Sequence, residues 1–257
     1  MKPLLNYVLS GRQGAPVIML AHGLATDLTM WDDVVAQLES RYQVLRYDAR
    51  GHGRSPAASD RFSLSELAQD VVDLLDHLKI EKTHFVGLSM GGMVGMGLGL
   101  DHSERINKLV VCDARGDAPE AYRKSWDDRI ERVSAEGVAV LAKPTIERWF
   151  TAAFGQNREA VERMRAMVAA TSVDGYVGCA RALRELDYAR RLPTMTVPTL
   201  FLVGSEDAGA PPETMRQMHQ VTPGSQFVQI DNAGHISAVE QPDQVAAAIT
   251  RFLGEDL

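Results

Sequence analysis

One serine in the sequence stands where a nucleophile is expected. Residues 87–91 read Gly-Leu-Ser-Met-Gly, with Ser89 at the centre, an apolar run before it and a glycine-rich stretch after it. This G-x-S-x-G pattern is typical of a strand that breaks sharply into a helix, with the serine at the corner. The pattern predicts that Ser89 Oγ lies at the carboxyl edge of a sheet. The free N–H groups of the helix N-terminus there favour a developing anion.

Two later residues are candidate partners for this serine. A serine hydroxyl is too weakly acidic to attack alone, so it needs a base and a carboxylate that orients the base. Asp207 follows the apolar run 199–203, and His235 follows the strand-like run 226–231. Since the carboxyl ends of parallel strands meet at one edge, both side chains could converge on Ser89. The order Ser, acid, His predicts a triad in which His235 is the base and Asp207 orients it.

Two other carboxylates compete for the role of Asp207. Glu206 is adjacent, but in an extended segment it would point to the opposite side. Asp113 ends the strand-like run 107–113 and could also reach His235. We prefer Asp207 and keep Asp113 as the alternative.

The backbone can supply the donors that a tetrahedral intermediate needs. The N–H of Met90 directly follows the nucleophile, and the N–H of Leu24 lies in the loop after another apolar run, 16–21. These two groups are the predicted oxyanion hole. His22 and His52 could be further catalytic groups, but we prefer to interpret them as turn-shaping or buried, hydrogen-bonded histidines. Residues 50–55 lack phosphate-loop spacing and precede a loop, so they are interpreted as a tight structural turn.

The elements that must position these residues alternate between strand and helix. Such alternation predicts an α/β fold, a mostly parallel sheet of about eight strands with helices on both faces. A capping-box pair, Ser63 with Glu66, begins one helix. The predicted strands are 4–9, 16–21, 42–48, 84–86, 107–113, 199–203 and 226–231, and the predicted helices are 31–41, 63–78, 90–101, 212–221 and 238–253.

The alternation stops between residues 114 and 191, where apolar residues recur at helical spacing. We interpret this segment as three to five helices inserted as a lid into one domain, whose core is 1–113 and 192–257. Trp126 and Trp149 fall in the lid and Trp31 near the mouth of the site. Large aromatics can form the wall of a pocket, so all three are candidate substrate contacts, although lid tryptophans also simply pack against a core.

Composition limits the classes of function. The chain has 257 residues, 45% of them hydrophobic and 24% charged, which is typical of a soluble protein. Its formal net charge of −7 argues against nucleic acid or an anionic membrane as a partner. Two distant cysteines, Cys112 and Cys179, have no metal-site spacing and indicate reduced thiols. No signal peptide or membrane span is predicted, so we expect a cytoplasmic protein; its oligomeric state is not predicted.

Several short stretches of the chain occur together in one known superfamily. They include the residue pairs at 22–23 and 234–235, the runs 48–55 and 87–92, and Gly204 with Asp207. In this combination the chain resembles the α/β-hydrolase superfamily. Within it, the stretches 26–31, 44–48, 148–150 and 169–176 resemble the 3-oxoadipate enol-lactonases. That family opens an enol-lactone ring in bacterial aromatic catabolism, and the resemblance implies that no metal or organic cofactor is needed.

The chain departs from this family in one stretch. Residues 112–117 carry three charges, where family members usually have small neutral polar residues. Arg115 could hold a substrate carboxylate as a bidentate donor. It could equally pair with Asp113 or Asp117, and both interpretations stay open.

The sequence therefore predicts a cofactor-free serine hydrolase of a small carboxylic ester or lactone. The same triad could instead serve perhydrolysis, as in cofactor-free haloperoxidases, or hydrolysis of a carbon–carbon bond. Dehalogenase and epoxide-hydrolase chemistry is disfavoured because those relatives attack with a carboxylate, whereas position 89 is serine. A non-catalytic ligand-binding role is a third alternative, against which the intact triad argues.

Overall fold

A sheet of seven strands forms the centre of the computed structural model, which describes residues 5–57 and 59–254. The strands are β1 (Tyr7–Gly11), β2 (Val17–Ala21), β3 (Gln43–Tyr47), β4 (Thr83–Leu88), β5 (Ile106–Cys112), β6 (Thr199–Gly204) and β7 (Gln226–Ile230). Their spatial order is β1-β3-β2-β4-β5-β6-β7. Only β1 runs antiparallel to its neighbour, β3, and every other pair is parallel. The carboxyl ends of six strands therefore share one edge.

Helices follow most strands, as parallel connections require. The α-helices are α1 (Asp32–Leu38), α2 (Leu64–His77), α3 (Met90–Asp101), α4 (Glu120–Glu136), α5 (Ala142–Trp149), α6 (Arg158–Ala170), α7 (Val173–Arg184), α8 (Pro212–Val221), α9 (Ser237–Glu240) and α10 (Pro242–Leu253). Short 3-10 turns occur at Leu28–Trp31, Ser103–Arg105, Val138–Leu141, Phe154–Gln156 and Ala189–Thr194. Among the described helices, none is both long enough and apolar enough to cross a membrane.

The predicted α/β architecture, a mostly parallel sheet with helices on both faces, is confirmed, but the expected number of about eight strands was one too high for the described residues. The ends of β2 to β7 lie within two residues of the predicted ends. β1 begins three residues later and ends two residues later than predicted. Leu4, the first residue of that predicted strand, lies outside the described residues. No eighth strand forms between β5 and β6, because that part of the described chain is helical.

Strands covered by helices on both faces need apolar residues at successive positions rather than at alternate ones. Every residue of β4 and of β6 is buried. β5 is buried from Leu109 to Cys112, where it lies between these two strands. These three neighbouring strands make a rigid platform, and the loops that leave their carboxyl ends begin from fixed positions.

Two helix boundaries illustrate how local sequence decides local structure. The predicted capping box at the start of α2 is confirmed: Glu66 N–H donates to Ser63 Oγ, and Ser63 N–H donates to the Glu66 carboxylate. The single helix predicted over 238–253 was wrong, since α9 and α10 are separate. Pro242 lacks an N–H and disfavours helical angles at Gln241, whose φ is −134°.

Residues 114–191, which we call the inserted segment, contain the four helices α4 to α7. Helix α7 is attached to the core loop after β3. Ser172 Oγ donates to the carbonyl of Gly51, and a Cβ on Gly175 would lie 2.1 Å from the same carbonyl oxygen. Arg181 at the far end of α7 pairs with Asp60. The number of helices agrees with the sequence, and the role of the segment as a lid stays a prediction.

Candidate active site

Ser89 occupies a sharp corner between β4 and α3. Its backbone angles, a φ of 54° and a ψ of −114°, lie in a region where residues other than glycine are rarely found. The backbone holds this strained residue from both sides, since Ser89 N–H donates to Cys112 O at 2.8 Å and its carbonyl accepts from Met93 N–H at 3.0 Å. The hydroxyl is therefore fixed above the end of the sheet, at the first turn of α3.

Glycines make this corner possible because the strand and the helix nearly touch. A Cβ on Gly87 would lie 2.1 Å from the carbonyl oxygen of Gly91. One on Gly91 would lie 2.4 Å from the carbonyl oxygen of Ala21 in β2. Such distances are far below van der Waals contact, so these two positions require glycine.

The structure brings the three predicted catalytic side chains together. His235 Nε2 lies 3.0 Å from Ser89 Oγ. On the other side of the ring, His235 Nδ1 lies 3.0 Å and 2.9 Å from the two carboxylate oxygens of Asp207. Asp207 Oδ1 also accepts the N–H groups of Gly209 and Ala210, at 2.6 and 3.0 Å. The acid is thus held by its own loop while it faces the imidazole.

The charge of Asp207 favours protonation of His235. Burial of the imidazole lowers the pKa of His235, but the charge and hydrogen bond of Asp207 outweigh burial, so that this pKa is raised above 6.5. Burial likewise raises the pKa of Asp207, and here His235 and the two loop N–H groups outweigh it, so that the pKa is lowered below 3.8. Asp207 is ionised at neutral pH, and its charge stabilises the protonated form of His235.

Asp113, the alternative acid, has a different set of contacts. Its Oδ1 accepts from Gly204 N–H at 2.8 Å, and its Oδ2 is hydrogen-bonded to Ser237 Oγ. Burial and the nearby charge of Asp207 raise the pKa of Asp113 to about 8. The geometry therefore favours Asp207 as the partner of His235. Glu206, the other competitor, is exposed.

The predicted oxyanion donors lie on the two segments that border Ser89. A Cβ on Gly23 would lie 3.5 Å from Ser89 Cβ, so the loop that carries Leu24 passes directly beside the serine. Within residues 5–57 and 59–254, neither Leu24 N–H nor Met90 N–H has a hydrogen-bond acceptor. Two free donors next to one hydroxyl fit the needs of an anionic intermediate.

His22 and His52 hold the Leu24 loop in shape. His22 Nε2 accepts from Ala49 N–H at 2.8 Å, so its proton is on Nδ1, which donates to Gly23 O at 2.7 Å. His52 Nε2 accepts from Ala25 N–H at 3.0 Å. Burial lowers the pKa of both rings, that of His52 to about 3. Both are neutral hydrogen-bonded groups, which agrees with their interpretation from the sequence.

A cavity of about 340 Å³ opens above Ser89 and His235. Three of the four predicted substrate contacts line it: Arg115, Trp126 and Trp149. Trp31 does not line it, and the prediction for this residue was wrong. Its side chain is fully buried in the core, since it ends a 3-10 turn and lies on the same apolar face as Val34 of α1.

Arg115 pairs with Asp117, one of the two partners that the sequence offered, and its role as a substrate contact stays a prediction. Its Nε donates to Asp117 O at 2.8 Å, and a terminal nitrogen lies 3.3 Å from Asp117 Oδ1. Its guanidinium also stacks over the ring of Tyr122, 4.5 Å from the ring centre. Arg115 is therefore a paired cation that nevertheless lines the cavity.

Two further arginines in the cavity were missed by the sequence analysis. Arg129 in α4 lies over the Trp126 ring at 4.5 Å, and Arg148 at the end of α5 lines the same cavity as His235 and acts on it through its charge. No carboxylate among the described residues forms an ion pair with either. Burial, and then the charge of Arg129, lowers the pKa of Arg148 to about 10. The cavity therefore holds unneutralised positive charge, which is a suitable environment for an anion.

The part of the chain that the structure describes contains no cluster of side chains that could bind a metal ion. Among these residues, no three His, Cys, Asp or Glu side chains are arranged to hold one.

Comparison with known proteins places these features in a family. The model of the alpha/beta hydrolase fold family matches residues 16–242. A 3-oxoadipate enol-lactonase of Acinetobacter baylyi is 36% identical over 250 residues, covering 97% of this chain and 92% of that protein.

Solved structures give the same result in three dimensions. The enol-lactonase from Burkholderia xenovorans LB400 superposes with a TM-score of 0.92 at 34% identity, covering 97% of this chain and 96% of that one. A thermophilic esterase from Thermogutta terrifontis, solved with malate bound, superposes with a TM-score of 0.90 at 34% identity, covering 97% and 92%.

Proposed function

The chain belongs to the alpha/beta hydrolase fold family, and from this premise we propose that it is a serine hydrolase of a small ester or lactone that carries a free carboxylate. The observation that carries the proposal is the contact of His235 with both Ser89 and Asp207, at 3.0 and 2.9 Å. Ser89 and His235 line a cavity that also contains Arg129 and Arg148, neither of which has a carboxylate partner among the described residues.

In the acylation step, Ser89 Oγ attacks the carbonyl carbon while its proton moves to His235 Nε2. Asp207 stabilises the resulting imidazolium through Nδ1. The carbonyl oxygen becomes an oxyanion and accepts hydrogen bonds from the N–H groups of Leu24 and Met90. When the intermediate collapses, the bond to the leaving oxygen breaks and His235 returns its proton to that oxygen.

In the deacylation step, water takes the place of the leaving group. His235, neutral again, accepts a proton from the water as its oxygen attacks the acyl carbon. A second oxyanion forms at the same two N–H groups. When it collapses, the bond between Ser89 Oγ and the acyl carbon breaks, His235 returns its proton to Ser89 Oγ, and the acid is released. With a lactone, the leaving oxygen stays attached to the acyl chain, so a single open-chain acid is released.

The arginines of the cavity support an anionic substrate. Both arginines are half-buried without a carboxylate partner in the described part of the chain, which is unfavourable for a cation, and Arg129 and Arg148 also repel each other. A substrate carboxylate between them would reduce both costs and would form charge-assisted hydrogen bonds. The relative solved with malate, a dicarboxylate, is consistent with this ligand class. An enol-lactone of 3-oxoadipate, named for the relatives, keeps one carboxylate free and is the first substrate to test.

A cytoplasmic location is part of the proposal. Cys112 and Cys179 are both buried and unbridged, as is typical of proteins from a reducing compartment.

A fluorophosphonate probe followed by a substrate panel tests the proposed function. We expect labelling of Ser89 in the parent protein and not in Ser89→Ala. We also expect that Ser89→Ala lowers kcat by about 10⁶-fold, as is typical of triad knockouts. Absence of labelling in folded protein would favour a ligand-binding role. Faster peracid formation or carbon–carbon cleavage than ester and lactone hydrolysis would favour the other reactions that this triad can serve.

A further inference from the structure

The buried carboxylate of Glu240 lies at the junction of the catalytic histidine loop and the inserted segment. Glu240 ends the short helix α9 and is only 7% exposed. Its Oε2 accepts a hydrogen bond at 2.8 Å from the N–H of Gly234, the residue directly before His235. Its Oε1 accepts from Thr151 N–H at 2.6 Å, two residues after the end of α5. One side chain thus contacts two segments far apart in the sequence.

A third hydrogen bond joins the same two segments. His235 N–H donates to Trp149 O at 2.7 Å. The backbones are also in close contact, since a Cβ on Gly234 would lie 2.3 Å from the Trp149 carbonyl oxygen. The histidine loop is therefore bonded to the end of α5, the helix that carries Arg148 and Trp149 into the cavity.

We propose that Glu240 is a positioning residue that fixes the His235 loop and residues 149–151, at the end of α5 in the inserted segment, as one unit. This inference rests on the proposed function, because it assigns Glu240 a role in the placement of the proposed base. The catalytic imidazole and the wall that would hold the substrate carboxylate then keep a constant separation.

The carboxylate is the chemical group that this position requires. Two N–H groups point at one buried side chain, so it must offer two acceptors, and an ionised carboxylate has them on separate oxygens. A glutamine has one acceptor oxygen, and its NH₂ group would face a second donor. Glu240→Gln therefore keeps the size of the side chain and leaves one buried N–H without a partner.

The matched control is Glu206→Gln. Glu206 is exposed, lies beside Asp207 in sequence, and is close enough for its charge to raise the pKa of Glu240. This variant removes the same charge from the same region without removing either N–H contact. The other charged groups that act on His235 are Asp207, Asp113 and Arg148, and both variants leave them unchanged.

The first measurement is the pH dependence of kcat and kcat/KM on a neutral ester. In Glu240→Gln we expect kcat to fall about tenfold to a hundredfold, the effect of a misplaced catalytic group. The acidic limb of kcat/KM should move to lower pH, because an imidazole that is displaced from Asp207 loses the interaction that raises its pKa. Glu206→Gln should do neither. Parental kcat and an unmoved acidic limb in folded Glu240→Gln would overturn the proposal.

The second measurement uses the parent protein and needs no variant to fold. If one carboxylate holds both segments, the amide protons of Gly234 and Thr151 should become exposed in the same opening event. Their hydrogen-exchange protection factors should then agree within about tenfold. Fast exchange at Thr151 with full protection at Gly234 would refute a single unit. This comparison stands even if Ser89→Ala retains activity, so failure of the proposed function can be told from failure of this inference.

Discussion

Replacement of Arg148 by methionine should stabilise the protein and at the same time weaken its activity on acidic substrates. Arg148 is a cation in a mostly buried position, and its pKa is lowered from 12.5 to about 10 by burial and then by the charge of Arg129. A methionine at this position keeps most of the length and apolar volume of the side chain but carries no charge. The variant therefore removes an electrostatic cost that the protein without substrate does not recover.

The size of the effect follows from the pKa. A change from 12.5 to about 10 corresponds to about 3 kcal/mol of destabilisation of the charged folded state. Arg148 retains some exposure to the cavity, where solvent screens its charge, so we expect a gain of about 1–2 kcal/mol in the free energy of unfolding. For a chain of this size, that gain raises Tm by roughly 2–8 °C. Arg148 stays protonated well above neutral pH, so the gain should be present throughout pH 6–8.

The kinetic comparison uses two esters with the same leaving group, 4-nitrophenyl hemisuccinate and 4-nitrophenyl butyrate. They differ chiefly in a terminal carboxylate. Loss of a charge-assisted hydrogen bond should lower kcat/KM for the hemisuccinate by about tenfold to a hundredfold. The rate on the butyrate should remain close to that of the parent. Added malate should raise the Tm of the parent more than that of the variant.

Arg123→Met is the matched control, since Arg123 is an exposed arginine of α4 that does not line the cavity. It should change neither Tm nor the ratio of the two rates. The reasoning is refuted if Arg148→Met lowers Tm, or if the rates on the two esters fall by the same factor. Either result would mean that Arg148 supports the fold rather than a substrate anion.

Three further predictions concern the triad and its corner. Because His235 must be neutral to act and its pKa is raised above 6.5, kcat/KM should fall as pH decreases through that region, and a flat profile from pH 5 to 8 would contradict its role. Asp207→Asn should lower kcat by about 10⁴-fold in steady-state assays. Asp113→Asn should cost less than about tenfold, because its amide still accepts from Gly204 N–H; equal losses in the two variants would leave the acid unassigned. Gly87→Ala should destabilise the fold by about 3 kcal/mol or more in denaturant titration, since its Cβ would lie 2.1 Å from the Gly91 carbonyl oxygen. Gly155→Ala, whose Cβ would have no neighbour within 4 Å, should be within about 0.5 kcal/mol of the parent.

The positions of the strands along the chain and the placement of the triad could be predicted because each depends on local sequence. Ser89 is marked by glycines that its own corner requires, and Asp207 and His235 directly follow buried strands. Parallel strands end at one edge, so positions along the chain translate into positions in space. The same logic located Leu24 and Met90 beside the serine.

The contents of the cavity could not be predicted in this way. Arg129 lies in a helix rich in arginine and glutamate, and Arg148 follows Glu147 near the end of another helix. Nothing local distinguishes a cation that faces a cavity from one that faces solvent. The error at Trp31 has a different cause. Trp31, Val34 and Leu38 follow helical spacing and share one buried face, so Trp31 packs into the core although it lies close in sequence to the loop that borders the site. Glu240 was missed because its two partners are backbone groups, which leave no trace in residue types.

The proposed nucleophile and its base are separated by 146 residues of chain. While the polypeptide is being synthesised, Ser89 emerges early, yet it has no proton acceptor until nearly all of the remaining chain has left the ribosome. A nascent chain that already contains β4 and α3 is therefore inert toward cellular esters. Hydrolytic activity during translation or refolding would then report that the last strand has docked, and it could serve as a direct measure of completed folding.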